Sequence, residues 1–561
     1  MSQVSSRPAS PSDKAPRRSI PDVAGEAARR FATAEAVVDG SARHSFEELW
    51  SDAAAAARAF VHAGVQAGDR VAIWAPNSYE WVVALLGLQS AGAAVVPLNT
   101  RFRGSEAAYI LNRSRAKVLV TVAGFLGVDY PSLLASEHLP HLQCLVLLGD
   151  EPPPPADRGG TPEQPGGALA NGALANGALA GKTVSWGAFL AAGGAGDDEV
   201  VRHRLERLGP DDVSDVIFTS GTTGSPKGVV ATHGQSIRAF AEWSRIVGLR
   251  EDDRYLLVNP MFHSFGYKAG ILACLLTGAT IVTVPIFDVS VVLERIATEA
   301  VTVLPGPPAL YQTLLDHDGL AATDLSSLRL AVTGAAVIPV DLVRRMRDSL
   351  GFDVVLTAYG LTEATGFVTA TTPDDDLETI ATTSGRAIEG VEVAVVAPDG
   401  TALPAGCPGE VVCRGYNVTQ GYFEEDEQTA ATIDADGWLH TGDIGVLDES
   451  GNLRITDRMK DMFIVGGFNA YPAEIENLLL GHGDISQAAV VGVPDERLGE
   501  VGVAFVVAKP GQILDGTEIV AWARSHMANY KAPRAVHVVD ALPLNASGKV
   551  LKFELRKRLG A

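Results

Sequence analysis

The chain has 561 residues, of which 47% are hydrophobic and 20% are charged, and its formal net charge is −22. This length exceeds one ordinary hydrophobic core, so we expect at least two domains. The acidic balance argues against a general nucleic-acid or membrane-surface binder, although local donors can still hold an anionic ligand. The four cysteines form no CxxC pair, which is typical of a protein in a reducing cytoplasm.

The sequence up to residue 457 predicts a large α/β domain. Residues 1–20 are polar and rich in Pro and Ser, which predicts a disordered tail rather than a signal peptide. Short strands such as GDRVAIWAP and VVPLN then alternate with helices such as SYEWVVALLGLQSAGA. This βαβ rhythm predicts mostly parallel sheets in an N-terminal domain over 21–457. The apolar run 269–287 contains Gly and Pro, so it predicts a buried helix and a buried strand rather than a membrane span.

Three later stretches differ from this rhythm. Residues 151–182 contain a proline run and the repeat GALANGALANGALA, which predict a flexible low-complexity insertion. Residues 391–456 contain short strands separated by Gly and Asp turns, which predict a small β-rich subdomain. Residues 461–561 restart with a helix and two strands, which predict a compact α+β C-terminal domain of ordinary size.

The strongest motif is the loop TSGTTGSPKG at 219–228. Its glycines allow close approach of the backbone, and its hydroxyls and N–H groups can surround phosphate oxygens. The pattern is not a Walker A loop, and its density of hydroxyls favours a phosphate site over a surface turn. The predicted phosphate-binding residues are Thr219, Ser220, Gly221, Thr222, Thr223, Gly224 and Lys227.

Two motifs downstream carry groups suited to a nucleotide. TGAA at 333–336 follows a strand, and its small residues leave room for a flat base. In AYGLTE at 358–363 an aromatic ring can stack on adenine, a hydroxyl can meet the α-phosphate, and a carboxylate is a natural ligand for Mg²⁺. Tight helix–strand packing for TGAA and a helix N-terminus for AYGLTE are alternative interpretations. The candidate nucleotide residues in the two motifs are Gly334, Ala335, Ala336, Tyr359, Gly360, Thr362 and Glu363.

Together these motifs resemble the signatures of the adenylate-forming superfamily, which includes acyl-CoA synthetases, peptide-synthetase adenylation domains and beetle luciferases. The resemblance spans roughly residues 25–560. It implies that ATP activates a carboxylic acid as an acyl-adenylate, whose acyl group then passes to coenzyme A. ATP, Mg²⁺ and coenzyme A are the implied cofactors. By resemblance, Glu363 and Thr222 would serve the metal, and Asp443 in WLHTGD and Arg458 in DRMK would bind the ribose.

The resemblance also implies a moving C-terminal domain. Lys549 in PLNASGK matches the catalytic lysine of the family, which bridges the substrate carboxylate and the α-phosphate. Lys460, within 458–460, matches the hinge about which the small domain rotates. After this rotation, a second face of the small domain lines the coenzyme A tunnel. The tunnel residues implied in this way are Gly466, Gly467 and Phe468.

The acid pocket is less well defined by the motifs. His263 in PMFHSFG matches the aromatic gate of the family, near which the carboxylate should lie. The other predicted pocket residues are Phe265, Gly266, Lys268, Pro305, Gly306 and Ala364. Lys268 lies in an apolar stretch where an unpartnered charge is costly. It predicts either a hydrogen bond to a ring ketone of the substrate or, alternatively, a structural ion pair or a side chain that snorkels to solvent.

Within the family, NPMFHSFGYKAGILACL, LPGPPALYQTLLDH and ITDRMKDMFIVGGFNAYPAEIE are similar to ligases of actinobacterial steroid catabolism. This similarity implies methylhexahydroindanedione propanoate (HIP) as the acid. Medium-chain and aryl acids are also compatible with the chain, because fold and motifs do not fix the acid. A peptide-synthetase module, a luciferase and a non-catalytic nucleotide-binding scaffold are further candidate functions. The sequence leaves the oligomeric state open, with a homodimer as one option.

Overall fold

The structure is a computed structural model, in which the residues described are 18–149, 182–219, 226–334, 338–458, 461–465, 468–470, 472–495, 498–527, 529–545 and 549–560. Strands and helices are numbered along the chain. The helices are α1 (Ile20–Phe31), α2 (Phe46–His62), α3 (Tyr79–Ser90), α4 (Gly104–Ser114), α5 (Tyr130–Leu134), α6 (Trp186–Ala192), α7 (Asp198–Arg207), α8 (His233–Val247), α9 (Ser264–Gly266), α10 (Ala273–Thr277), α11 (Val289–Thr298), α12 (Pro308–Leu315), α13 (Val340–Asp348), α14 (Leu377–Thr382), α15 (Asp426–Thr432), α16 (Pro472–Leu480), α17 (Gly516–His526) and α18 (Lys552–Arg558).

The first large sheet has a parallel centre and antiparallel edges. From edge to edge, its strands are β16 (Arg386–Ala387), β15 (Thr369–Ala370), β14 (Val354–Tyr359), β13 (Leu330–Gly334), β12 (Val303–Pro305), β10 (Arg254–Leu257), β11 (Thr280–Thr283), β1 (Glu35–Asp39) and β2 (Ala42–Ser45). The central strands are short apolar runs, which suits strands covered on both faces.

The second large sheet is parallel except at one edge. Its strands are β19 (Gly421–Tyr422), β9 (Lys227–Thr232), β8 (Val213–Thr219), β4 (Ala94–Pro97), β3 (Arg70–Trp74), β5 (Val118–Val122), β6 (Cys144–Leu148) and β7 (Thr183–Ser185). Helix α3 contacts strands of both large sheets and is buried along nearly its whole length, which explains its almost uniformly apolar sequence. The main hydrophobic core therefore lies between the two sheets.

Two smaller sheets complete the fold. The third sheet is antiparallel, with strands β17 (Val391–Val396), β18 (Gly409–Gly415), β20 (Leu439–Leu447) and β21 (Leu453–Arg458). The fourth belongs to the C-terminal domain, with strands β23 (Phe468–Ala470), β22 (Phe463–Val465), β25 (Gly499–Ala508), β24 (Ile485–Asp495) and β26 (Ala535–Val538). Helices α16 and α17 supply apolar residues to the core of this domain.

The predicted fold class is confirmed: a large α/β domain with parallel sheets precedes a smaller C-terminal domain. One boundary differs from the sequence prediction. Helix α1 begins at Ile20, inside the stretch predicted as a disordered tail, because Ser19 and Asp22 form a capping box and Ile20 is buried. In the described residues, no helix is long and apolar enough to cross a membrane.

Candidate functional site

The ends of the predicted phosphate loop are held by the second sheet. Strand β8 ends at Thr219 and strand β9 begins at Lys227, and these two residues face each other in the antiparallel register. Strand β8 runs parallel to β4, so the loop leaves the sheet at the carboxyl end of a parallel strand. Ligands in open α/β sheets bind outside this end. The position of the loop therefore suits a phosphate site.

The Glu363 carboxylate lies beside Thr219, the first residue of the predicted phosphate loop. Glu363 is in a 3₁₀ turn over Thr362–Ala364 that follows strand β14 of the first sheet. Its Oε1 accepts hydrogen bonds from Thr219 Oγ1 at 3.3 Å and from Tyr422 Oη at 3.1 Å. The two large sheets thus bring the predicted metal ligand beside the predicted phosphate loop.

Lys227 is held at the other end of the loop by neutral groups. Its Nζ donates to Gln428 Oε1 at 2.6 Å and lies 5.1 Å from the centre of the Tyr422 ring. The side chain is buried. Across the described residues, no carboxylate lies within salt-bridge distance of this ammonium. Its charge is therefore available to an anionic ligand.

Tyr359 and Asp443 form a further hydrogen-bonded pair among the predicted site residues. Tyr359 closes strand β14, and its hydroxyl donates to Asp443 Oδ2 at 2.6 Å. Burial and the neighbouring carboxylate raise the pKa of Tyr359 well above its usual value, so the phenol stays a donor. Asp443 lies on β20 opposite Arg458 of β21 in register. The predicted adenine-stacking residue and the predicted ribose ligands are therefore neighbours.

Two glycines are required by close backbone approach. A Cβ at Gly334 would lie 2.3 Å from the carbonyl oxygen of Ala358, and a Cβ at Gly360 would lie 2.1 Å from that of Gly366. Neither distance allows a side chain without moving the backbone. Glycine at the end of β13 and directly after β14 leaves these positions without side chains, where the sequence predicts that a base is bound.

In the predicted gate segment, residues 260–266, a hydrogen bond defines the tautomer of His263. His263 precedes helix α9, and its Nδ1 accepts the N–H of Phe265 at 3.2 Å. Burial lowers the pKa of His263, which favours the neutral ring. Because Nδ1 accepts, the neutral ring carries its proton on Nε2. His263 can therefore offer one N–H donor towards a carboxylate.

Two buried asparagines hold the backbone of residues 257–261, which precede His263. The Asn77 amide donates to the carbonyls of Leu257 and Asn259, and its oxygen accepts the N–H of Met261. Asn259 in turn donates to the carbonyl of Pro305 at 3.0 Å. These bonds tie the predicted gate to the predicted pocket segment at Pro305 and Gly306.

Tight packing closes the pocket segments against one another. A Cβ at Gly266 would lie 2.1 Å from the carbonyl oxygen of Pro260. A Cβ at Gly366, where φ is +99°, would lie 3.0 Å from the Ser264 side chain, so the turn after buried Ala364 packs closely against helix α9. Phe265 is half-buried beside this core.

Lys268 is buried with Asp215. Its Nζ lies 3.0 Å from Asp215 Oδ1, and both side chains are 1% exposed. The hydroxyl of Ser214 donates to the other Asp215 oxygen at 2.7 Å. This contact is a structural ion pair, one of the alternatives that the sequence left open for Lys268. Contact between Lys268 and a substrate ketone stays a prediction.

Lys549 lies at the base of a hairpin loop in the C-terminal domain. Leu544 and Val550 form a bridge, and the backbone N–H of Lys549 donates to Asn545 Oδ1 at 2.8 Å. The carbonyl of Lys549 accepts the Asn545 N–H, also at 2.8 Å. The backbone of the predicted catalytic lysine is thus anchored at the end of the loop.

Several predicted residues lie outside the described residues: Ser220, Gly221, Thr222, Thr223, Gly224, Ala335, Ala336, Lys460, Gly466 and Gly467. The insertion predicted over 151–182 also lies outside them, apart from Lys182. For Arg458 and Phe468 only the strand position is described. The roles of all these residues stay predictions.

The sequence reasoning missed four residues that contact the predicted site. They are Tyr422, Gln428, Asn77 and Asn259. Tyr422 follows Gly421 in a short polar segment without a strong motif of its own. Asn77 and Asn259 each follow an apolar strand, which is a signal that sequence reasoning can use. Gln428 had no such signal.

Two family models match the chain. The model of the AMP-binding enzyme family matches residues 25–423, and the model of the AMP-binding enzyme C-terminal domain matches residues 474–549. Together these matches cover both domains of the fold.

Individual relatives cover nearly the whole chain. A 3-(7a-methyl-1,5-dioxo-octahydro-1H-inden-4-yl)propanoyl:CoA ligase of Mycobacterium tuberculosis is 49% identical, over 96% of this chain and 99% of its own. The ligase of the same name from Rhodococcus jostii is 47% identical, over 96% and 98%. The crystal structure of the anthranilate CoA ligase AuaEII with anthranoyl-AMP superposes with a TM-score of 0.82 at 27% identity, over 98% of each chain. The chain therefore belongs to the adenylate-forming AMP-binding enzyme family and is an ATP-dependent ligase that joins a carboxylic acid to coenzyme A.

Proposed function

We propose that the acid is HIP, the bicyclic indanedione propanoate of steroid ring degradation. The observation that carries this proposal is the identity of 49% and 47% to two ligases named for this acyl group, each over 96% of the chain. The propanoate arm of HIP supplies the carboxylate that the ligase activates. Its fused rings are bulky and mostly apolar, and such a shape needs a rigid pocket wall. The asparagine bonds at Asn77 and Asn259 supply this rigidity to the segments beside the gate.

In the first half-reaction, a carboxylate oxygen attacks the α-phosphorus of ATP. The bond from that phosphorus to the bridging oxygen breaks, and pyrophosphate leaves with the electron pair. The attack joins two anions, so positive charge and donors must surround the reacting groups. Lys227 would bind the outer phosphates, and Nε2–H of His263 would orient the carboxylate. Lys549 would bridge the carboxylate and the α-phosphate when the small domain closes.

The residues at Glu363 fit a magnesium ion carried by ATP. Mg²⁺ is usually held in proteins by one or two carboxylates together with substrate phosphates and water. Glu363 offers one carboxylate beside the phosphate loop, and the Thr219 hydroxyl is next to it. In the described part of the chain, no cluster of three or more His, Cys, Asp or Glu residues forms a separate metal cage. A bound Mg²⁺ would neutralise charge on the phosphates.

In the second half-reaction, the thiol sulfur of coenzyme A attacks the carbonyl carbon of the adenylate. The carbon–oxygen bond to AMP breaks, and AMP leaves with that oxygen. The thiol proton must pass to solvent or to a base. We propose that a rotation near Lys460 removes Lys549 and brings the segment at 466–468 to the thiol path.

A coupled ligase assay tests the choice of acid. The protein would receive ATP, Mg²⁺ and coenzyme A with HIP, octanoate, benzoate or 4-coumarate, and AMP and thioester would be measured. We expect a kcat/KM for HIP at least about a hundredfold above the others, since loss of several buried contacts costs a few kcal/mol. A higher kcat/KM for another acid would replace HIP and leave the ligase chemistry in place.

A further inference from the structure

We infer that Tyr422 and Gln428 are positioning residues of the nucleotide site, with Tyr422 orienting the Glu363 carboxylate and Gln428 holding the Lys227 ammonium. The inference rests on the metal and phosphate roles proposed above for Glu363 and Lys227. It extends the site to a segment, Gly421–Thr432, that lies between the recognised motifs.

The sheet register brings this segment to the phosphate loop. Strand β19 pairs with β9 so that Tyr422 lies opposite Val229. Lys227 is two residues before Val229 on the same strand, so it shares one face of the sheet with Val229 and is diagonal to Tyr422. Diagonal neighbours on one face of an antiparallel pair are within reach of aromatic and long side chains. The contact between Lys227 and the Tyr422 ring follows from this register.

The Tyr422 hydroxyl acts on Glu363 as a hydrogen-bond donor. A phenol ordinarily titrates at about pH 10, so the Tyr422 hydroxyl keeps its proton and can donate. One carboxylate oxygen, Oε1, accepts both this bond and the bond from Thr219. Two donors on one oxygen restrict the orientation of the carboxylate, and among the described residues no hydrogen bond engages the other oxygen, which can therefore face a ligand.

Gln428 holds Lys227 without neutralising it. The amide oxygen accepts from the ammonium at 2.6 Å, and a neutral acceptor leaves the positive charge for phosphate. An aspartate or glutamate at this position would instead form an ion pair and compete with the anionic ligand. Lys227 is thus held in place, and within the described part of the chain its charge has no carboxylate partner.

Two contacts brace the segment. The backbone N–H of Tyr422 donates to Thr429 Oγ1 at 2.9 Å, which ties strand β19 to helix α15. Before the helix, Glu425 forms a salt bridge at 3.0 Å with Arg113 of helix α4. Tyr422 and Gln428 therefore lie on one segment that is bonded internally and is anchored to helix α4 of the large domain.

The first test compares two Tyr→Phe variants. Tyr422→Phe removes the hydroxyl but keeps the ring beside Lys227. Tyr416→Phe is the matched control, because its buried hydroxyl has no hydrogen-bond partner among the described residues. Binding of α,β-methylene-ATP with Mg²⁺ would be measured by calorimetry. We expect about five- to tenfold weaker binding for Tyr422→Phe, the effect of one hydrogen bond, and no change for Tyr416→Phe.

Steady-state kinetics add a readout that a general loss of structure would not give. For Tyr422→Phe we expect KM for ATP to rise while KM for the acid stays within about twofold. A double variant, Tyr422→Phe with Glu363→Gln, should bind the nucleotide no more weakly than Glu363→Gln alone, since Tyr422 acts through Glu363. Additive losses in the double variant would overturn the inference for Tyr422.

The second test changes the charge at Gln428. Gln428→Glu is nearly isosteric and should weaken nucleotide binding by more than about tenfold, because the new carboxylate pairs with Lys227 and repels phosphate. Unchanged binding in Gln428→Glu would overturn the assignment of Gln428.

Glu363→Gln separates this inference from the proposed function. Weaker binding in Glu363→Gln with unchanged binding in Tyr422→Phe overturns the inference alone. Unchanged binding in Glu363→Gln overturns both the metal role of Glu363 and the inference for Tyr422.

Discussion

One buried histidine predicts how the stability of this ligase changes with pH. His233, at the start of helix α8, is 1% exposed, and its Nδ1 accepts the N–H of Ile20 at 3.2 Å. Burial, with the nearby Lys268 ammonium, lowers the pKa of His233 from 6.5 to about 3. Between these two values the unfolded chain binds a proton that the folded chain does not. The free energy of unfolding therefore falls as the pH falls below 6.5.

This shift predicts a measurable acid sensitivity. From pH 7 to pH 5, His233 should reduce the free energy of unfolding by about 2 kcal/mol, from roughly 1.4 kcal/mol per pH unit below the unfolded pKa. His233→Asn removes this titration. Thermal unfolding of both proteins at pH 7 and pH 5 checks it, and the fall in Tm should be smaller in the variant. Equal falls in Tm would show that His233 does not carry the effect.

At the scale of secondary-structure elements, a buried ion pair joins the π-helical segment that follows α9 to strand β8, which precedes the predicted phosphate loop. Lys268 lies in a π-helical segment, Tyr267–Leu272, and reaches Asp215 on β8, the strand that ends at Thr219. π-Helical segments often lie at functional sites, since the wider turn redirects side chains. The pair thus connects an element predicted to line the acid pocket to the strand that ends at the predicted phosphate loop.

Removal of one partner should be costly. Lys268→Met leaves the Asp215 carboxylate buried and unpaired, and we expect a loss of about 3–5 kcal/mol in stability. In the double variant Lys268→Met with Asp215→Asn, no charge remains, so most of this loss should be recovered. Chemical denaturation of the three proteins checks this expectation. A double variant no more stable than Lys268→Met would contradict it.

The same double variant tests the predicted ketone contact. If it folds and keeps the wild-type kcat/KM for HIP, the role of Lys268 is structural only. A KM for HIP raised about tenfold with an unchanged KM for ATP would support contact with the ring ketone, since one hydrogen bond is worth about this factor.

Sequence reasoning could predict candidate residues that lie in local motifs. Thr219, Lys227 and Glu363 follow directly from TSGTTGSPKG and YGLTE. It could not predict Gln428, because the bond to Lys227 joins residues 201 positions apart and depends on the pairing of β19 with β9. Strand β20 lies within the stretch predicted to be β-rich, but the motif inside Leu439–Leu447 indicated only a ribose site.

At the scale of the whole molecule, the proposed chemistry needs two arrangements of the two domains. The large domain holds Lys227, Glu363 and His263, whereas Lys549 lies on a hairpin of the small domain. Adenylation needs Lys549 at the α-phosphate, and thioester formation needs room for the thiol. A hinge motion supplies both from one set of residues.

This division predicts that Lys549 serves one half-reaction only. In Lys549→Ala, adenylate formation should slow by about 10²–10³, the effect of removing one preorganised charge at the reacting groups. Thioester formation from a preformed acyl-adenylate should keep a rate within about threefold of the wild type. Single-turnover measurements of each half-reaction check this. Equal slowing of both would contradict the two-arrangement account.

The central claim is that the acid is activated through a bond between its own oxygen and the α-phosphorus of ATP. The most direct measurement uses HIP labelled with oxygen-18 in the carboxylate, with mass spectrometry of the phosphate-containing products. The account predicts one labelled oxygen in AMP, because the carbon–oxygen bond breaks when the thiol attacks. Label in orthophosphate, with ADP as the nucleotide product, would show an acyl-phosphate route and contradict the account.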